Sequence, residues 1–372
     1  MTLAPLRVAL LGAGTVGREV AQALLDRSAE LLPADGSALV LTGIAVRDLD
    51  RARSAGLPAD LLTDAPAHLV ASADTDVIVE LMGGDEPART LISAALASGK
   101  AVVTANKHVI AHHGPALEDL ARRSDAALRF EAAVGGGIPI LGPLATDLFA
   151  NRIGRVRGIV NGTTNFILSA MTDEGRAYAD ALAAAQAAGY AEADPSGDVE
   201  GHDAVNKLVI LARLAFGRWI DAASVATVPE TPPGAGSPGI TGVTAADLAA
   251  ARAAGQVVKL VADAHRDGDR IAASVLPTFV DADSPLGGTP GVLNRIEVEA
   301  TPLGTVAFSG PGAGGPATSS AILGDLVALA RGLGSTWAGL PAATVAEPAV
   351  VTPAPAVSDG ETAAPTAAAA TR

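Results

Sequence analysis

The sequence predicts an α/β fold, with a doubly wound parallel sheet over residues 5–140 and a second, α+β domain over 141–305. Three observations predict it. Short apolar runs in the first third end at glycine or charge and alternate with helical stretches, the pattern of βαβ units. The first of these runs leads directly into a glycine-rich turn and a helix. Later on, runs such as Val156–Val160, Ile271–Val280 and Arg295–Glu299 interleave with helices. That strand-rich half predicts a sheet able to pair across a dimer.

The first strand is Leu6–Leu11. Gly12-Ala13-Gly14-Thr15-Val16-Gly17 follows, and then a helical stretch from Arg18 to Leu32. Gly12 permits a tight turn, Gly14 lets the backbone approach a pyrophosphate, and Gly17 allows close helix–strand packing. The helix N-terminus faces the phosphates, with Thr15 and Val16 of the turn as further cofactor-binding candidates. Strand, turn and helix together give a Rossmann dinucleotide fingerprint its required context.

The next strand, Leu39–Val46, ends at Arg47-Asp48. An acid at this point would hold the ribose hydroxyls of NAD, and an arginine suits the extra phosphate of NADP. Arg47 therefore favours NADP, with NAD tolerated; Asp48 falls one residue late for the acidic role. The strand Asp76–Met82 ends at Gly83-Gly84, a helix runs from about Pro87 to Ser98, and Ala101–Thr104 ends at Asn106-Lys107. Ligands of open α/β sheets bind outside the carboxyl ends of the strands, which is where Glu80, Gly83, Thr104 and Lys107 fall. Lys107 is either a surface lysine opening a helix or a group near the nicotinamide.

Phe130–Ile140 carries three successive glycines, Gly135 to Gly137, after the acid Glu131. A tight structural turn and a loop of carbonyls around a hard cation both fit this pattern.

The densest cluster of charge is Gly189–Lys207, with Glu192, Asp194, Asp198, Asp203 and Lys207 ahead of the apolar run Leu208–Ala212. The predicted helix begins near Asp198 and stops at Gly217. From Leu208 to Phe216 only Arg213 is strongly polar, which marks an interior helix. Asp203 and Lys207 lie four apart on one face. They form either an ordinary helical ion pair or a held, tuned proton donor.

These residues carry a resemblance. The chain resembles the homoserine dehydrogenases in GAGTVG at Gly12–Gly17, ELMGG at Glu80–Gly84 and TANKHVIA at Thr104–Ala111. FEAAVGGGIPI at Phe130–Ile140, GIVNGTTNFIL at Gly158–Leu168, GYAEADPSGDVEGHDAVNKL at Gly189–Leu208 and GPGAGGPATSSAILGDL at Gly310–Leu326 continue it over about nine-tenths of the chain. The resemblance implies reversible NAD(P)H-dependent reduction of L-aspartate 4-semialdehyde to L-homoserine, on the route to threonine, methionine and isoleucine. It implies Lys207 as proton donor, Asp203 beside it, and Lys107 between cofactor and substrate. Glu192 and Asp198 match acids that bind substrate, with Tyr190, Gly162 and Thr163 lining the same site. Glu131 and the backbone of Val134, Gly136 and Ile138 match a monovalent-cation site, such as one for sodium. Gly312 and Gly314 match a segment that returns to the cofactor, so residues 306–334 are expected to pack back on the first domain. The expected assembly is a homodimer or a dimer of dimers.

Two departures stand out. Many family members carry a C-terminal ACT regulatory domain, whereas residues 341–372 here are an Ala/Pro/Thr stretch expected to be disordered. The loop 229–239 is richer in Pro and Gly and longer than the family leads one to expect, and it is expected to cross the substrate region.

Composition narrows the alternatives. A formal charge of −14 argues against nucleic acid and anionic membranes as partners. With no cysteine, thiolate aldehyde dehydrogenases that share the nucleotide-binding front end are excluded. No apolar run approaches a membrane span, no signal segment precedes the first strand, and a cytoplasmic enzyme is expected. The six histidines show no HExxH spacing. Two other readings remain at this point. One is a non-catalytic NADP-binding regulator, which would not need Asp203, Lys207 and Lys107. The other is a dehydrogenase of another small hydroxy or amino acid.

Overall fold

The computed structural model describes residues 4–31, 34 and 36–350. Its first half runs β1 (Leu6–Leu11), α1 (Thr15–Asp26), β2 (Leu39–Ala45), α2 (Leu49–Ser54), β3 (Leu62–Thr63) and α3 (Pro66–Ala71). β4 (Val77–Glu80), α4 (Ala88–Ala97), β5 (Ala101–Thr104), α5 (Lys107–Arg123) and β6 (Leu128–Arg129) follow. The six strands are parallel in the order β3-β2-β1-β4-β5-β6. Val8 to Leu11, Val77 to Val79, Val102 and Val103 are buried without alternation, as required of strands covered by helices on both faces. Chain order reverses between β1 and β4, which opens a crevice at the carboxyl ends.

The second half runs α6 (Leu141–Ala145), β7 (Arg152–Ile159), α7 (Gly162–Asp173), α8 (Tyr178–Ala187), α9 (Ser196–Val199), α10 (His202–Phe216) and β8 (Trp219–Ile220). α11 (Ala245–Ala253), β9 (Gln256–Asp267), β10 (Arg270–Asp281), β11 (Leu293–Thr301), β12 (Gly304–Pro311), α12 (Gly315–Ala330) and β13 (Ala346–Glu347) complete it. An antiparallel sheet ordered β10-β9-β7-β11-β12 supports α7 and α10. α12 then returns to the first half. Its Ile322 and Leu326 share a core with Val8, Leu10 and Val20.

α10 is interior, as its apolar run predicts: Leu208 to Ala212 are at most 1% exposed. Its start differs from expectation. Asp198 does not cap it, because Ser196–Val199 form a separate turn of helix. Gly201, in the left-handed region at φ +90°, swings the chain so that α10 begins at His202. Gly217, at φ +75°, ends it where predicted. Arg213 is fully buried against Glu118 of α5, with Nε and Nη2 donating at 2.9 and 2.7 Å. Arg122 and the Trp219 indole donate to the same carboxylate.

That cluster also corrects the expected tail. Residues 341–350 are ordered. Arg213 donates to Pro341 O, Arg122 to Leu340 O, and Ala343 N to Glu118. β13 then pairs in parallel with β8. The segment is held through its backbone, which an apolar count does not register. The rest of the expected tail, 351–372, lies outside the described residues. The 229–239 loop rests behind α9, where a Cβ on Gly239 would meet Val199 O at 2.1 Å. Among the described residues no helix is long and apolar enough to cross a membrane.

Candidate active site

The glycine turn has the predicted division of labour. A Cβ on Gly12 would stand 2.7 Å from Leu81 O, and one on Gly17 would stand 2.2 Å from Gly12 O. Both glycines are therefore required by the turn itself. Nothing lies within 4 Å of a Cβ on Gly14, so that position faces open space at the start of α1. No side chain caps the helix and its first turn holds no acid, so the amides of Thr15, Val16 and Gly17 confront the crevice unopposed. Gly83 is likewise open.

At the end of β2, Asp48 is spent as the N-cap of α2, accepting from Arg51 N at 2.9 Å. Arg47 is exposed, and no carboxylate of the described residues pairs with it. Thr104 stands at the end of β5, as expected, with its side chain turned inward. Its hydroxyl is fully buried, donates to Glu80 at 2.7 Å and accepts from Asn106 N at 2.9 Å. Glu80 in turn accepts from Met82 N and Gly83 N. The Thr104 hydroxyl thus ties the ends of β4 and β5 together.

The chemical centre is one carboxylate between two lysines. Asp203 Oδ2 lies 2.8 Å from Lys207 Nζ, and Asp203 Oδ1 lies 2.8 Å from Lys107 Nζ. The first lysine is one helical turn away on α10; the second opens α5 from across the crevice. Asn106 orients that end by capping α5 through Val109 N and donating to Gly84 O at 2.8 Å. Lys207 also donates to Val160 O at 2.5 Å, and its side chain is 9% exposed against 42% for Lys107. Burial pushes the Asp203 carboxyl up, but the two ammoniums outweigh this and hold it far below the carboxylate range. Burial pulls Lys107 down, yet Asp203 overrides it and leaves the pKa above the ordinary lysine value.

Asn161 was missed in the sequence. Its amide donates to Asp198 at 2.7 Å and to Asp203 at 2.8 Å, while its carbonyl caps α7 through Thr164 N. The signal was present, since an Asn before Gly-Thr-Thr is an N-cap pattern. Burial raises the Asp198 pKa; Asn161 opposes that shift and the charge of Asp203 adds to it. Gly162 is required by Val292 O, which would stand 2.6 Å from a Cβ. Thr163 ties α7 to the acidic loop by donating to Tyr190 O at 2.7 Å. Tyr190 is exposed, its ring edge-on to Phe166, and Glu192 is exposed with no carboxylate contact to the cluster. Asp198 thus joins the centre, whereas Glu192 stays at its rim.

The Glu131 carboxylate accepts from the amides of Ile140, Leu141 and Gly142 at 2.8, 2.8 and 2.7 Å. Its pKa is raised by burial and by the neighbouring Asp325. No donor of the described residues reaches the carbonyls of Val134, Gly136 or Ile138. A Cβ on Gly136 would lie 2.7 Å from the Gly312 carbonyl carbon, so this loop underlies the returning 312–314 segment. At the far end of that segment, a Cβ on Gly315 would stand 3.0 Å from the Thr15 methyl of the nucleotide turn.

An open glycine turn at a sheet crevice, with paired lysines on a buried carboxylate beside it, defines a nicotinamide-dependent dehydrogenase. The family models for homoserine dehydrogenase and for its NAD-binding domain match residues 139–327 and 12–131. The chain is 43% identical to the homoserine dehydrogenase of Corynebacterium glutamicum over 353 residues, 91% of this chain and 77% of that one. It is 45% identical to that of Mycobacterium tuberculosis over 88% of this chain and 73% of the relative. The crystal structure of the Thiobacillus denitrificans homoserine dehydrogenase superposes with a TM-score of 0.84 at 38% identity, covering 95% of this chain and 80% of that one. A hyperthermophilic archaeal homoserine dehydrogenase in complex with NADPH gives 0.72 at 30% identity, over 88% of this chain and 97% of that one. The chain belongs to the homoserine dehydrogenase family. Its reaction is the reversible, NAD(P)H-dependent reduction of L-aspartate 4-semialdehyde to L-homoserine, and the two alternative readings fall away.

Proposed function

We propose that Lys207 is the proton donor of this reaction, that Asp203 and Lys107 set its position and charge, and that NADP is the preferred cofactor. The observation that carries this reading is the pair of ammoniums on one buried carboxylate. A bound reduced nicotinamide supplies hydride to the aldehyde carbon. The carbonyl oxygen must then gain a proton. Two of the three Lys207 protons are committed, to Asp203 and Val160 O, which leaves one for that oxygen. Asp203 fixes the spacing of both lysines and supplies their shared counter-charge. Asp198, with Glu192 at the rim, supplies negative charge for the substrate ammonium, beside Gly162, Thr163 and Tyr190. Gly12, Gly14 and the α1 amides receive the pyrophosphate, Gly83, Gly312 and Gly314 flank it, and Arg47 is free for the ribose phosphate of NADP.

The Glu131 loop fits a monovalent cation such as sodium, held by Glu131 and the carbonyls of Val134, Gly136 and Ile138. Glu131 and the buried Asp325 stand together, and Arg129 neutralises only one of them, at 2.7 Å from Asp325. A singly charged hard ion balances the remaining charge and uses the unbonded carbonyls. We further propose a cytoplasmic homodimer, or a dimer of dimers, joined through the second sheet.

Lys207→Ala tests the centre. NADPH oxidation with aspartate semialdehyde is expected to slow at least about a hundredfold, the scale of a general acid, while NADPH binding is kept. Near-normal turnover would remove Lys207 from the role.

A further inference from the structure

Asn294 on β11 is fully buried, and neither its side-chain oxygen nor its nitrogen has a hydrogen-bond partner among the described residues. Buried amides are nearly always paired, because desolvation without a partner is costly. The strand does not explain it, since Asn294 lies on the face that Ile296 and Val298 give to the core. Its position does. The next residue, Arg295, pairs with Ile159, one step from the Val160 carbonyl that Lys207 holds. On its other side the flat of the carboxamide lies on Gly312. A Cβ there would stand 1.9 Å from Oδ1, 2.2 Å from Cγ and 2.6 Å from Nδ2. The amide N–H groups of Gly312, Ala313 and Gly314 donate to no acceptor of the described residues. An unpaired carboxamide thus lies directly against a backbone segment with unpaired donors.

We propose that Asn294 is a positioning residue for the 312–314 segment, its carboxamide held unpaired in the ligand-free protein and taking up that segment's backbone when the nicotinamide dinucleotide seats. The inference rests on reading Gly312 and Gly314 as a cofactor-covering segment. It explains why an amide occupies a core position. The unpaired state is destabilising without cofactor, and relieving it adds to cofactor affinity. It also gives Gly312 a reason beyond turn geometry, because any side chain there would displace the amide.

The test uses the full chain. Hydrogen exchange of the wild-type 312–314 amides, with and without NADPH, is expected to slow on binding. No slowing overturns both the segment reading and the inference. Asn294→Leu is then expected to bind NADPH about tenfold more weakly by fluorescence titration, the scale of one or two lost hydrogen bonds. Its ligand-free melting temperature should equal or exceed that of the wild type, because an unpaired amide has been replaced by an apolar group. A purely structural asparagine would give the opposite, a lower melting temperature with unchanged affinity, and that result overturns the inference. Should the leucine variant fail to fold, Asn294→Ser carries the same titration. Unchanged NADPH affinity there, with 312–314 still protected in the wild type, overturns the inference alone.

Discussion

α5 and α10 are joined twice, each time by one carboxylate between two cations, and the two junctions do opposite things. At one end Asp203 of α10 holds Lys207 and Lys107. At the other, Glu118 of α5 holds Arg213 and Arg122. The arginine junction also takes the Trp219 indole and Ala343 N, and Glu118 and Arg213 are both 0% exposed. An arginine fork fits a carboxylate in two places and does not give up its proton, so this junction is a clamp. Lysine is a point charge with three protons on a titratable nitrogen, and one side of the lysine junction opens on the crevice. The same pair of helices is thus pinned at its sealed end, which fixes the geometry of the end that reacts.

Neutralising each carboxylate separates the two roles and gives the largest effects. Asp203→Asn should lower turnover at least about a hundredfold with a modest change in melting temperature, since Lys107 retains contact with water. Glu118→Gln should do the reverse. It strands Arg213 without a counter-charge in the core, at a cost of about 3–5 kcal/mol. Turnover per folded molecule should stay within about twofold. Denaturant unfolding and initial rates on both variants decide. Similar activity losses in the two would mean that the clamp is part of the catalytic centre.

These two junctions also show how far the sequence could be read. Asp203 and Lys207 are four apart, so helical periodicity alone pairs them. Arg213 stood out as the one strong polar group in an apolar run, but nothing local names Glu118, 95 residues away, as its partner. The first domain was legible for the same reason as the Asp203 pair, since strand, glycine turn and helix are neighbours in the chain. The surroundings of Thr104 and Glu192 were not legible, because their positions at strand and loop ends are local, whereas what their side chains meet is not. Residues 341–350 were read as unstructured because backbone hydrogen bonds to Arg122, Arg213 and Glu118 leave no trace in composition.

A third buried cation sharpens the comparison, because no carboxylate of the described residues forms an ion pair with it. Lys259 is 5% exposed and donates to Asn165 Oδ1 and Thr289 O, both at 2.9 Å. Burial, only partly offset by Asp173, lowers its pKa from 10.5 to about 8. Between those values the unfolded chain holds a proton that the folded chain has released, so stability rises as pH climbs from about 8 to 10.5. The gain is about 3 kcal/mol if the whole shift is realised. Lys259→Met should lack this rise when urea unfolding of both proteins is compared across that range. Parallel curves would mean that Lys259 titrates as an ordinary lysine.

Arg47 stands at the exposed extreme of the same series, a cation with neither burial nor a protein carboxylate, and its effect should be the smallest. It lies at the end of β2 just before Asp48, whose side chain is already committed to capping α2. The acid next to this strand end is thus already engaged by backbone. The guanidinium has nothing in the described protein to neutralise, and its fork matches a phosphate monoester. Arg47→Ala should weaken NADPH about tenfold and leave NADH nearly unchanged, since only NADPH carries the extra phosphate. The NADPH loss should shrink as ionic strength rises, because an exposed charge pair is screened over about 10 Å at 0.1 M salt. Michaelis constants for both cofactors, measured at two salt concentrations, check each statement. Equal losses for NADPH and NADH would show that Arg47 supports the loop and does not read the phosphate.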